Sequence, residues 1–135
     1  MPPKENPTIK REITFIPGKV QAGFPSPGED LAGIGIDLNE YMISNPVASF
    51  LVRVAGESMI DAGILDGDVL IVNRSLQASK GRIVIAVVEG EFTVKRFTLH
   101  NGVHVLKPEN DKYPIIPITE EVELWGVVTG ILRRL

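Results

Sequence analysis

From Ser49 onward the chain is a succession of short apolar runs rich in valine and isoleucine, each closed by a glycine, asparagine or proline turn. No long helical period interrupts them, and this pattern limits the fold to a sheet of short strands. The runs SFLVRV (Ser49–Val54), DVLIV (Asp68–Val72), RIVIAVV (Arg82–Val88) and EFTVKRFTL (Glu91–Leu99) predict strands, followed by Val103–Leu106 and a last strand over Glu121–Leu132. Asn101-Gly102 is the strongest hairpin signal, because both residues tolerate the positive φ that a tight two-residue turn demands. A single short helix is expected after Asp37-Leu-Asn-Glu40, which has the D-x-x-E form of an N-terminal cap, and Asn45-Pro46 stops it. The expected fold is therefore mainly β: a compact domain of short strands and hairpins with one short helix.

At 135 residues the chain suffices for one domain with a real core. The absence of cysteine excludes disulfides, thiol nucleophiles and cysteine-built zinc sites. A net charge of −3 gives no basic footprint for a duplex, so direct sequence-specific DNA binding is not expected. The longest purely apolar run, Ile83–Val88, is far too short to span a bilayer, and the polar N-terminus lacks the apolar core of an export signal. The reading is a cytoplasmic protein that does not engage membranes. Six of the ten prolines lie in the first 27 residues, and residues 1–22 carry a net +2 against −5 for the remainder. Residues 1–36 thus read as a flexible, extended N-terminal arm and residues 37–135 as the β-rich body. The arm either lies on the oppositely charged body, with Ile13, Phe15 and Ile16 as contacts, or stays free of it.

The sharpest local feature is GESMIDAGILDGD, Gly56–Asp68. Ser58 follows a strand among glycines, a layout that exposes a hydroxyl beside free backbone N–H groups. A helix-capping serine explains the same residues more simply. A nucleophilic serine needs a base. His100 and His104 flank the Asn101-Gly102 turn, which makes them hairpin residues first. Lys95 is the alternative, since a lysine buried against apolar neighbours loses its proton more readily. Strand alternation puts Thr93, Lys95 and Phe97 on one face and Phe92, Val94 and Arg96 on the other, so Lys95 or Arg96 must take the less natural side. Spacing alone favours a solvent-facing Lys95. Asp61, Asp66 and Asp68 do not fit a calcium loop and are explained by turn chemistry. Trp125 is expected in the core, and Arg133-Arg134 is too small a patch to argue for nucleic acid.

Three segments, QAGFPSPGED, VAGESMIDAGILDGDVLIVN and IVIAVVEGEFTVKRF, together resemble the UmuD/MucA-type SOS mutagenesis proteins, which share a self-cleaving serine–lysine domain with the LexA repressors. The resemblance runs from about Lys19 to Val128. It implies a LexA-like self-cleavage domain with Ser58 as nucleophile, Lys95 as general base and Ala22-Gly23 as the bond cut, so that residues 1–22 are removed. It implies no cofactor and no metal. It further implies stimulation by a RecA–single-stranded DNA filament, a homodimer, and a shortened product that joins a UmuC-type error-prone translesion polymerase. Only 22 residues precede Gly23, too few for the DNA-binding domain of a repressor. The best-known chromosomal members carry cysteine before the scissile glycine, whereas Ala22 matches the plasmid-type and LexA-like ones. A β-rich binding module with a vestigial pair, and a peptidase acting on other proteins, are the competing readings.

Overall fold

In the computed structural model, which describes residues 11–23 and 33–135, the chain divides into two units, Met1–Ser44 and Asn45–Leu135. In the first, β1 (Glu12–Phe15) pairs antiparallel with β2 (Ile34–Asp37), Glu12 facing Asp37 and Phe15 facing Ile34. The helix α1 (Leu38–Met42) follows directly, and the Asp37 carboxylate accepts the Asn39 N–H at 2.8 Å, as the capping signature predicts. The Phe15 ring lies 6.1 Å from that of Tyr41. The pair β1–β2 was not expected. Each strand is only four residues long and its partner lies about twenty residues away, so neither run shows an alternation of its own. Residues 1–10 and 24–32 of the arm, including most of QAGFPSPGED, lie outside the described residues.

The second unit opens with a 3₁₀ turn at Pro46–Ala48 that has proline at its first position. The helix α1 has already ended at Met42, with Ile43 extended, so Asn45-Pro46 is not what stops it. Seven strands follow: β3 (Ser49–Arg53), β4 (Val69–Asn73), β5 (Ile83–Val88), β6 (Glu91–His100), β7 (Val103–Lys107), β8 (Ile116–Pro117) and β9 (Val122–Leu132). They form one antiparallel sheet in the order β3-β4-β9-β5-β6-β7-β8, so the C-terminal strand is inserted between two earlier ones. The protein is mainly β, and the expected strands appear within a residue or so of their predicted ends. The two-residue β8 had no sequence signal.

Strand β5 explains the layering. Its run is apolar throughout because both of its faces are covered, unlike a half-solvated antiparallel strand. Ile85 joins Val54, Met59, Ile64, Leu70 and Val72 in one cluster, while its neighbours Val84 and Ala86 join Phe97, Leu106 and Val127 in another. The hairpins β5–β6 and β6–β7 close through Glu89-Gly90 and Asn101-Gly102, all four with positive φ. At Gly102, φ is +78°. Gly102→Val is expected to cost about 1–2 kcal/mol, the strain of a branched side chain in the left-handed region, read as a lowered Tm.

Trp125 packs against the first core cluster, at its margin rather than inside it. The β5–β9 register pairs Ile85 with Gly126 but Ala86 with Leu124, so Trp125 is the extra residue of a β-bulge. A bulge re-aims its side chain. Trp125 is consequently only half-buried, packed between Phe50 and Phe92 at 5.4 and 5.2 Å with the Arg74 guanidinium 4.5 Å over its ring. The next residue must be glycine for packing reasons: a Cβ on Gly126 would come within 2.5 Å of Val72 Cγ1.

Candidate active site

The β3–β4 connection, residues 54–68, is fastened at both ends. Val54 N–H donates to Asp68 O and Gly67 N–H to Val54 O, each at 2.8 Å. Within it the Asp66 carboxylate accepts the Gly56 N–H at 2.7 Å, and Asp68 accepts the Leu65 N–H at 2.7 Å. Asp66 and Asp68 therefore serve turn chemistry, as the sequence suggested. Two apolar residues drive the loop into the first core cluster, Met59 at 1% and Ile64 at 0% exposure. Ser58, adjacent to the Met59 anchor, stays half-buried with its hydroxyl available. Among the described residues, neither the Ser58 nor the Met59 N–H donates a hydrogen bond.

Lys95 sits in the middle of β6 and is only 7% exposed, which overturns the solvent-facing reading that spacing alone favoured. Arg96 takes the opposite side, where it pairs with Glu109 at 2.6 Å. The Lys95 amine lies 3.1 Å from Ser58 Oγ, 2.8 Å from Thr93 Oγ1 and 3.0 Å from the Val94 carbonyl. Burial pushes its pKa below the usual 10.5, since desolvation penalises the ammonium. The three contacts suit either protonation state. The ammonium donates to all three oxygens. The neutral amine has two N–H bonds, which Thr93 Oγ1 and the acceptor-only Val94 carbonyl can take, leaving its lone pair for the Ser58 hydroxyl hydrogen. Thr93 was placed on the Lys95 face by alternation but given no role; that shared face, two residues away, was the signal for it.

The loop after β7 braces both partners from outside. Asp61 N–H donates to Glu109 O and Asn110 Nδ2 donates to Glu57 O, each at 2.9 Å, while Glu109 also holds Arg96. The histidines behave as hairpin residues: His100 pairs with Val103, and His104 stacks on Phe97 at 4.8 Å. Gln21, Ala22 and Gly23 are exposed and belong to no strand or helix. Among the described residues no helix is long and apolar enough to cross a membrane.

A mainly β protein in which a buried strand lysine meets a loop serine is the class that fold and site define. Within it the assignment is specific: residues 14–129 match the Peptidase S24-like family, and the chain belongs to that family. It is thus a serine peptidase at the level of the family. It is 46% identical to protein MucA of Salmonella typhimurium over 123 residues, covering 89% of this chain and 84% of that one. It is 44% identical to protein ImpA of Shigella flexneri over 122 residues, 86% and 80% of the two chains. Against the LexA repressor of Clostridium novyi it is 37% identical over 133 residues, 96% of this chain and 65% of the repressor. The resemblance to the UmuD/MucA-type and LexA proteins is borne out.

Proposed function

We propose that the protein cuts itself between Ala22 and Gly23, with Ser58 as nucleophile and Lys95 as general base. The observation that carries this is the buried Lys95 amine, its pKa depressed, 3.1 Å from Ser58 Oγ. Neutral Lys95 takes the Ser58 proton as Oγ attacks the Ala22 carbonyl carbon. The free N–H groups of Ser58 and Met59 supply donors for the oxyanion. Collapse breaks the Ala22–Gly23 bond, and the Lys95 ammonium returns the proton to the Gly23 amine. Water then releases Ala22 from Ser58, with Lys95 again accepting a proton. The substrate is part of the same polypeptide, so effective concentration replaces tight binding, and small residues at Ala22-Gly23 keep the segment slim.

The likeness to MucA and ImpA supports placing this cleavage in the SOS response. A RecA–single-stranded DNA filament stimulates it, and the product, residues 23–135, dimerises and serves a UmuC-type error-prone translesion polymerase as accessory subunit. The test is intact mass after incubation at alkaline pH, wild type beside Ser58→Ala. A species beginning at Gly23 in the wild type and absent from the variant is expected. No cleavage, even with a RecA filament supplied, would overturn the reading in favour of a binding module with an idle pair.

A further inference from the structure

Among the described residues, Arg133, the residue after β9, makes its side-chain hydrogen bonds to the far half of the Ser58 loop. Its Nε and Nη2 take the two oxygens of Asp68 at 2.7 Å each, and Nη2 also reaches the Gly63 carbonyl at 2.7 Å. The β4–β9 register brings this about: Val69 faces Leu132, so Asp68 and Arg133 fall side by side one step beyond the ladder. The Asp68 carboxylate is 2% exposed and Arg133 is its only cationic partner among the described residues. Arg133 holds that carboxyl down at about 2 from the usual 3.8, the Leu65 N–H assisting against the opposing effect of burial.

From Gly63 the connection to Ser58 is short and is tied by hydrogen bonds around one tight turn. The 3₁₀ turn Ile60–Ala62 lies between them, with Gly63 N–H on Ile60 O at 3.0 Å and Ile64 N–H on Met59 O at 3.3 Å. Pulling on Gly63 therefore moves Met59, and Met59 is the neighbour of Ser58. We propose that Arg133 is a positioning residue for the reaction at Ser58: its planar fork pins Asp68 and Gly63 to the end of β9 and so holds the serine hydroxyl against Lys95. A guanidinium suits this because it bonds both carboxylate oxygens and a carbonyl at once, which an ammonium cannot do in a fixed geometry. The inference rests on the cleavage reading above for its chemistry, and on the loop contacts alone for its geometry.

Two measurements on the full chain test it. The first is the self-cleavage rate of Arg133→Met and Arg133→Lys. A displacement of the order of 1 Å at a reacting group costs about 100-fold, so Arg133→Met should slow cleavage by about that factor, with Arg133→Lys in between. Combining Asp68→Asn with Arg133→Met should slow it no further than the worse single change, because both break one clamp. Val105→Ala, which removes buried apolar volume from β7, serves as the control for stability; at equal loss of Tm it should cleave at the wild-type rate. The second measurement is amide hydrogen exchange in a Ser58→Ala background, where no cutting intervenes. Arg133→Met should speed exchange over residues 56–65 and leave β5 and β6 protected. A wild-type cleavage rate in Arg133→Met, an equal slowing in Val105→Ala, or unchanged exchange over 56–65 would each overturn the proposal. Failure of the wild type to cleave would count against the cleavage reading, and the exchange result would still decide the clamp. If Arg133→Met does not fold, Arg133→Lys carries both readouts.

Discussion

Lys95→Met is expected to abolish self-cleavage while leaving the protein folded. A positioned general base contributes about 10²–10⁴-fold, so no product should appear in the mass spectrum over the wild-type half-life. The fold should tolerate the change because methionine matches the lysine stem and needs no proton. The same variant has a second, independent signature. Since burial depresses the Lys95 pKa in the folded state, the unfolded chain binds more protons between that pKa and 10.5. Stability must then rise with pH across that window, the reverse of a lysine that gains a carboxylate partner. Below the window the buried ammonium costs the wild type stability. Chemical denaturation should show Lys95→Met at its most favourable relative to wild type at neutral pH, with the advantage shrinking as the solution becomes alkaline. A variant that cleaves at the wild-type rate, or a stability difference that does not change with pH, would contradict the role given to this amine.

The pH–rate profile carries the second large effect. Only the neutral amine can accept the Ser58 proton, so below the folded pKa of Lys95 the cleavage rate should climb about tenfold per pH unit. It should level off before 10.5, because desolvation has moved the titration to lower pH. The measurement is the first-order rate of appearance of residues 23–135 at fixed ionic strength. Replacing Thr93 by valine offers a check within the same experiment. It removes one of the oxygens that the amine contacts, 2.8 Å away, and should lower the plateau without abolishing the slope. A rate independent of pH would mean that a step other than proton transfer to Lys95 controls cleavage, or that another group is the base.

Much of the fold is legible in the sequence. The strands from Ser49 to Leu132 follow from alternation, β-branching and turn residues, because those signals act between neighbours a few positions apart. The Asp37 cap and the Asn101-Gly102 turn are local for the same reason. The motif around Ser58 and the run around Lys95 carried the family resemblance, so the candidate pair was named from sequence, though residue chemistry by itself left Ser58 as a helix-capping serine and Lys95 as a solvent-facing strand residue. What alternation could not tell is which face of β6 is covered. It put Lys95 with Thr93 and Phe97, yet burial of that face depends on packing from elements far along the chain. Ser58 and Lys95 are 37 positions apart and meet only when the β3–β4 loop is anchored through Met59 and Ile64.

The remaining differences share that origin. Trp125 looked like a core residue, and its hydrophobicity was read correctly; a bulge against β5 decided its direction, and bulges arise from register between strands that are distant in sequence. Arg133 and Asp68 are 65 positions apart and were each passed over, one as part of a small basic pair, the other as a turn residue. Their pairing follows from inserting β9 beside β4, a choice of topology that no local pattern encodes. The sequence by itself therefore determined the elements, the turns and the residue types offered to the site. Tertiary structure alone decided which of them lost their water and which came within bonding distance. Burial and proximity are properties of non-local packing, and they turn a strand lysine and a loop serine into a pair able to exchange a proton.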